Sequence, residues 1–558
     1  MTRFSLLPGA LLALAALHAA PTLAQKNRVA TTQPAPPTLP AVRQVRFKAD
    51  TFNIQKYGAV ADGQTLNSQA FQQAIMACTQ AGGGTVLVPA GLWLTGPIVL
   101  QNNVNLHLAT GALVQFTADH SQYPLVKTTW EGEDAIRGQA PISGKGLTNI
   151  AVTGPGTFDG AGDSWRPVKK NKLNEGEWKK LVASGGVLNE KKDAWYPSAG
   201  SLKGNMLAAA GTPRKSLNPG DFDDIRDFLR PNMLSLTDCR QILLEDFVIQ
   251  NSPAWTIHPL LCQDITVRRV TARNPWYGQN TDAIDLESCR NGVLDGCTFS
   301  VGDDGLCIKS GRDEEGRKRG VPTENFKVYS AHGGFVIGSE MSGGVRNLIV
   351  RNCTFQGTDV GLRFKTARGR GGMVENIWVD GITMTDIAGQ AILFDMYYMA
   401  KDPVPQAGES TAPPVIAAQP LGEGTPQFQH FYIKNVACKG AETGILVRGL
   451  PEMAIKDISL ENVVIESKKG MLCQEAENIS LKNVTLITTD TKPVLEVQNS
   501  KNISLDGIKY ASGADLLLRV SGDRSQDIRL TNTNTKLAKK GLELGDKVGK
   551  KVVQVAAK

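Results

Sequence analysis

The sequence predicts an all-β fold: a single-stranded right-handed parallel β-helix, closed at its N-terminal end by one capping helix. Three observations predict it. A motif made of a polar pair, a short alternating apolar strand, an Asn/Asp/Gly corner and a second short strand recurs along the chain. It is seen in LTNIAVTGPGTFDG (147–160), CRQILLEDFVIQNSP (239–253), VRNLIVRNCTFQGTDVG (345–361) and AENISLKNVTLITTD (476–490). Where nothing is inserted the motif returns every ~21 to 29 residues, the period of a stacked β-coil. With 57 Gly and only 6% aromatic residues, the composition favours many tight turns over packed helices. Finally, one amphipathic helical pattern precedes the long run of strands, as a cover for an otherwise open edge would.

Taken in order, the chain begins with Arg3, an apolar run from Leu6 to Leu17, and small residues at Thr22 and Ala24. This predicts a secretory signal peptide over residues 1–24, too short to span a bilayer, and export to the periplasm or the medium. Residues 25–45 are Pro- and Thr-rich without apolar period and read as an extended linker. A β-helix domain is expected over 46–535. Asn67 or Ser68 caps its helix, Phe71, Ala74, Ile75 and Cys78 form the apolar face, and Ala81-Gly82-Gly83-Gly84 ends it. An insertion over 163–232 carries Trp165, Trp178, Trp195 and Tyr196, which are expected to form an aromatic wall at one end of a surface groove. Pro403–Pro426 reads as a surface excursion, and 536–558 as a solvated basic tail. That tail holds +5 of the formal net charge of +7, so the charge gives no reason to expect a nucleic acid or other polyanionic partner. The nine cysteines include no C-x-x-C pair and fall mostly in repeat positions, so buried free thiols are expected rather than disulfides or a metal site. Neither a membrane span nor a cofactor is expected, and the chain is read as a monomer.

The chemistry concentrates in NTDAIDLESCRNGVLDGCTFSVGDDGLCIKSG (280–311). Asp282 lies about one coil before the pair Asp303-Asp304, which puts three carboxylates in phase on neighbouring coils. Crowded carboxylates cannot all ionise cheaply, so one proton is retained to higher pH beside a base. A proton donor beside a base is what glycosidic cleavage requires. Spacing alone leaves open which aspartate keeps the proton. It also suggests carboxyls ~5 Å apart, nearer the retaining than the inverting separation. A lone Asp would be read as an Asx-turn at a coil corner; three in phase are not. Arg363 and Lys365, two apart on a strand, project to one face and suit a carboxylate ligand. Lys309 lies on a strand close to the aspartates, and His332 in a Gly-rich turn about one coil beyond Asp304.

Together, Asn280-Thr281-Asp282, Gly302-Asp303-Asp304, His332-Gly333 and Arg363-Phe364-Lys365 resemble, in order and spacing, the motifs of glycoside hydrolase family 28, the polygalacturonases. The resemblance runs from about Phe47 to the last repeats. It departs at Phe364, where the family usually has Ile, and at Asp313–Gly320, which lengthens the path to His332. It implies a pectin-lyase-like solenoid that hydrolyses α-1,4-galacturonosyl bonds of pectin by single displacement, without metal or cofactor. It further implies that Asp303 is the general acid, that Asp282 and Asp304 activate water, and that His332 supports the acid or the sugar. Asn280, Arg363, Lys365 and Lys309 would contact the substrate, a pectic polysaccharide or oligogalacturonide. The elaborated 163–232 insertion resembles bacterial exo-acting members. The alternatives are an endo-acting, rhamnogalacturonan or xylogalacturonan hydrolase, a Ca²⁺-dependent pectate lyase on the same fold, or a non-catalytic glycan-binding β-helix.

Overall fold

Alternation along each short strand builds the coil. In Ile284–Glu287, Ile284 and Leu286 enter the core while Asp285 and Glu287 face outward. The next coils stack in parallel register, with Ile257 opposite Ile284, Ile284 opposite Leu306, Leu306 opposite Phe335, and Phe335 opposite Leu362. Apolar residues thus form continuous columns inside the solenoid, and the outward residues form columns on a groove floor. Phe364 lies in the core, packed on Phe394 at 4.6 Å between ring centroids, so its departure from the family pattern leaves Arg363 and Lys365 facing outward. Corners are turned by residues in the left-handed region, among them Asn291, Asn347, Asn478 and Asn502. Their side chains ladder from coil to coil, Asn502 to Asn478 at 2.7 Å for example.

The computed structural model describes residues 33–210, 216, 218–311, 322–329, 334–398, 416–545 and 547–556. The expected signal peptide, His332 and Asp313–Gly320 lie outside them. The described chain is a right-handed parallel β-helix, and its described residues from Pro34 onward form one compact unit. The helix Ser68–Gln80 covers its first coils with Ala70, Phe71, Ala74, Ile75 and Cys78 buried. Asn67 makes no capping bond; its buried amide instead ties Val60, Thr65 and Leu94. All nine cysteines are buried free thiols. No helix among the described residues is long and apolar enough to cross a membrane.

Three segments differ from expectation. The linker segment is extended, but from Pro34 onward it is a strap laid across the corner ladder. Its backbone binds Trp378 Nε1, Asn291 and Asn149, and Arg43 pairs with Asp264. The expected tail forms a last coil, Ala538–Leu544 pairing with Ala514–Ser521 and Val553–Val555 with Gln526–Thr531. Unpaired strand edges there need a partner, and the basic segment supplies it.

The 163–232 insertion is a small folded layer of helices Glu175–Ala183 and Ala199–Ala209 with a three-stranded sheet. Its tryptophans are not available to sugars. Trp178 and Trp195 form its core with Val168, Trp165 is fully buried, and Tyr196 is buried and bonded to Asn205. An insertion this far from the solenoid interior must supply a core of its own, and the tryptophans are that core. His120 pins it down, stacking on Trp165 at 3.5 Å while bonding Asp227 at 2.7 Å and Ser164 at 3.1 Å. A separate antiparallel hairpin, Leu125–Trp130 with Glu133–Gly138, was not anticipated. Its two-residue turn, Glu131-Gly132, has both residues at positive φ, as a tight hairpin turn requires.

Candidate active site

The strand register that aligns Ile284 with Leu306 also sets Asp282 level with Asp304, and Ala283 N–H donates to the Asp304 carbonyl at 3.0 Å. Gly302 precedes the pair where no side chain fits: an added Cβ would lie 2.6 Å from Pro275 O and 2.7 Å from Gly278 N. Its N–H donates to Thr281 Oγ1 at 3.2 Å, and that hydroxyl donates to Gly278 O at 2.8 Å, locking the two turns together. The outcome is that Asp282, Asp303 and Asp304 each place an oxygen within 4.8 Å of the others. Asp282 and Asp304 are buried, and Asp303 reaches the surface.

Neighbouring charges set these carboxyls apart. Burial pushes Asp304 up, but Lys365, Arg363 and Lys309 together outweigh it and hold its carboxyl below the usual range. Lys365 Nζ lies 2.7 Å from Asp304 Oδ2, and Arg363 Nη1 3.4 Å from Oδ1. Burial, then the charge of Asp304, holds Asp303 above its ordinary value, despite N–H bonds from Asn280 at 3.2 Å and from Asp304 at 3.1 Å. Burial, then Asp285 and Asp303, raises Asp282 well above the usual range. Packing therefore separates the three: Asp304 is biased toward the charged form, while Asp282 and Asp303 hold a proton to higher pH than a free carboxyl.

The positively charged residues are drawn into this network. Lys365 is buried, with Tyr398 at 4.8 Å over its ammonium. Arg363 also reaches Asp359 at 2.9 Å. Lys309 is buried, 3.0 Å from Glu340 and 3.6 Å from Asp285, with the Trp255 ring 4.9 Å away. Asn280 takes Arg230 Nη2 on its Oδ1 at 3.0 Å, joining the buried Arg230 to the turn that carries Asp303.

Several groups here escaped the sequence reading. Asp285 is fully buried beside the aspartates with no hydrogen bond on either oxygen, and burial pushes its carboxyl up to about 7 against the pull of Lys309 and His258. One coil earlier His258 pairs with Glu287 at 2.8 Å, both buried. The alternation in Ile284-Asp285-Leu286-Glu287 was the available signal, since it sends both acids to the floor.

A hard divalent cation could use the same three carboxylate oxygens on spacing alone. Ca²⁺ takes six to eight oxygen ligands, however, and two cationic side chains already occupy Asp304. The donor set fits a charged hydrolytic site better than a calcium cage.

With the Asn280–Asp282, Gly302–Asp304 and Arg363–Lys365 motifs in order on these coils, similarity to known proteins is specific. The sequence profile of glycosyl hydrolases family 28 matches residues 221–413. The crystal structure of a hyperthermoactive exopolygalacturonase from Thermotoga maritima superposes with a TM-score of 0.65 at 30% identity, covering 80% of this chain and 94% of that one. The chain belongs to glycosyl hydrolase family 28. It is similar to a probable polygalacturonase of Vitis vinifera, 28% identical over 80% of this chain and 82% of that protein. An exo-poly-alpha-D-galacturonosidase of Dickeya chrysanthemi is 26% identical over 62% of this chain and 57% of that protein. As a family 28 member the protein is a glycosidase, which removes the lyase and the non-catalytic binder from consideration.

Proposed function

We propose that this family 28 glycosidase is exported and hydrolyses the α-1,4-galacturonosyl bonds of pectic galacturonan by single displacement, releasing short products from the non-reducing chain end. The observation that carries the reading is the aspartate trio within 4.8 Å, flanked by Lys365 and Arg363 on the same groove floor. Two fixed cations beside a cleavage site suit a polymer that carries a carboxylate on every sugar.

In the proposed step, Asp303 gives its proton to the glycosidic oxygen as the C1–O bond breaks. Asp282, whose carboxyl burial and Asp285 hold above the usual range, orients a water by hydrogen bonding. Asp304, held anionic by Lys365, takes that water's proton as its oxygen bonds to C1. The 4.8 Å span is shorter than the roughly 6.5–9.5 Å usual between acid and base in inverting enzymes. The anomer of the first-formed product tests the step directly: inversion supports single displacement, and retention would make one aspartate a nucleophile.

The chain-end reading draws support from the insertion and the hairpin, which stand on the N-terminal side of the aspartate coils. Viscometry of polygalacturonate with reducing ends counted in parallel tests it. A slow viscosity decline with one short product is expected; a steep drop at low hydrolysis would make the enzyme endo-acting.

A further inference from the structure

The groove floor does not stop at the aspartates. Its outward columns run from Ser143 through Ser235 and His258 to Asp285, and from Lys145 through Thr237 and Leu260 to Glu287. On an open floor a polymer could lie across all of these coils and be cut anywhere. The hairpin Leu125–Gly138 interrupts that path.

Its tip reaches over the floor to the coil of Lys309, where Gly311 sits so close to Gly132 Cα and to Glu287 Oε1 that a side chain would collide with both. Trp130, the last residue before the turn, lays its ring on Trp255 at 4.8 Å and 20°. Trp255 in turn packs edge-on against His258 at 5.1 Å and faces the Lys309 ammonium. Arg137, on the returning strand, covers the other face of Trp130 at 3.6 Å and donates through Nε to Arg230 O at 2.8 Å. Arg230 continues to Gln279 O and to Asn280 Oδ1, and Asn280 N–H reaches Asp303.

The hairpin divides the space above the floor in two. On the side toward Asn280, a cavity of about 510 Å³ has Trp130 and Arg137 of the hairpin on one wall, the 163–232 insertion with Tyr196, Asn205 and Arg230 around most of the rest, and Asn280 at the edge next to the aspartates. On the other side, one of about 340 Å³ lies over Ser143, Lys145, Ser235 and Thr237. Trp130 and Arg137 line both, so they are the partition itself.

We propose that Trp130, wedged between Trp255 and Arg137, is the end stop of the substrate groove and fixes how far from a chain end this enzyme cuts. The inference rests on the chain-end reading above and assigns it to the hairpin rather than to the 163–232 insertion. The terminal galacturonate occupies the 510 Å³ cavity, and the rest of the polymer leaves past Arg363 and Lys365.

The test is product length from end-labelled oligogalacturonides, together with viscosity loss per bond broken on polygalacturonate, for wild type, Trp130→Ala and Trp130→Phe. Each variant is first checked by circular dichroism and thermal melting. Wild type and Trp130→Phe, which keeps an aromatic face on Trp255, are expected to give one short product. Trp130→Ala is expected to give a mixture of longer products and a several-fold greater viscosity loss per bond. Should Trp130→Ala fail to fold, Trp130→Leu, which keeps an apolar contact with Ala254 and Trp255, is measured in its place. A folded Trp130→Ala or Trp130→Leu that still releases the single short product would overturn the proposal and move the stop to the insertion. A wild type that itself cuts internally would instead overturn the chain-end reading.

Discussion

Replacing Asp285 by Asn should make the protein more stable and less active, and the stability gain should depend on pH. Asp285 is fully buried, neither oxygen has a hydrogen bond, and Lys309 Nζ stands 3.6 Å away. Its carboxyl is pushed from 3.8 to about 7, by burial first, with Lys309 pulling the other way. A folded-state value above the unfolded one means that the native chain holds the proton more tightly. The penalty is therefore absent below pH 3.8, grows as pH rises, and is complete above about 7. At 1.36 kcal/mol per pH unit, that interval sets an upper bound of about 4 kcal/mol on the destabilisation at pH 8. Asn keeps the shape and cannot ionise, so it escapes the penalty. In thermal melts the variant should exceed wild type by a few degrees at pH 8 and match it near pH 4. Turnover should fall, because Asp285 is the leading charged neighbour that keeps the Asp282 carboxyl high. Stability gained where activity is lost marks a residue held in a costly state for function. Equal melting differences at both pH values would refute the argument.

Asp303→Asn should lower kcat by roughly 10²–10⁴ while leaving the fold unchanged, since it removes the transferable proton but not the shape; retention of a tenth of wild-type turnover on polygalacturonate would exclude Asp303 as the acid. Lys365→Ala should move the acidic limb of the kcat/KM profile to higher pH, because Lys365 is the strongest of the charges holding Asp304 down, and should cost about 3–5 kcal/mol in stability as a buried pair is broken. It should also weaken use of de-esterified galacturonan more than of methyl-esterified material, and an unmoved limb would place the control of Asp304 elsewhere. Truncation after Thr535 uncovers Leu516, Leu518, Ile528 and Leu530, all buried. At about 1.5–3 kcal/mol for each full burial, losing half of it at four side chains costs roughly 3–6 kcal/mol. A lowered melting temperature is expected, and an unchanged one would return 536–558 to the status of a solvated tail.

The sequence by itself determined the solenoid and the phase of its site. Strand alternation and coil period are local properties, so Ile284 and Leu286 inward with Asp282 level with Asp304 could be derived from spacing alone. The same alternation placed Phe364 inside and Arg363 and Lys365 together on the floor. What the tertiary structure decided depends on residues far apart in the chain. Trp130 meets Trp255, His120 meets Asp227, and Lys365 meets Asp304, and no periodic pattern encodes such encounters. The insertion's tryptophans illustrate the limit: composition announced aromatic surface, while packing spent it on the insertion's own core. The protonation of the aspartates belongs to the same class. It follows from burial and from which cations arrive beside which carboxylate, and both exist only once the coils are stacked.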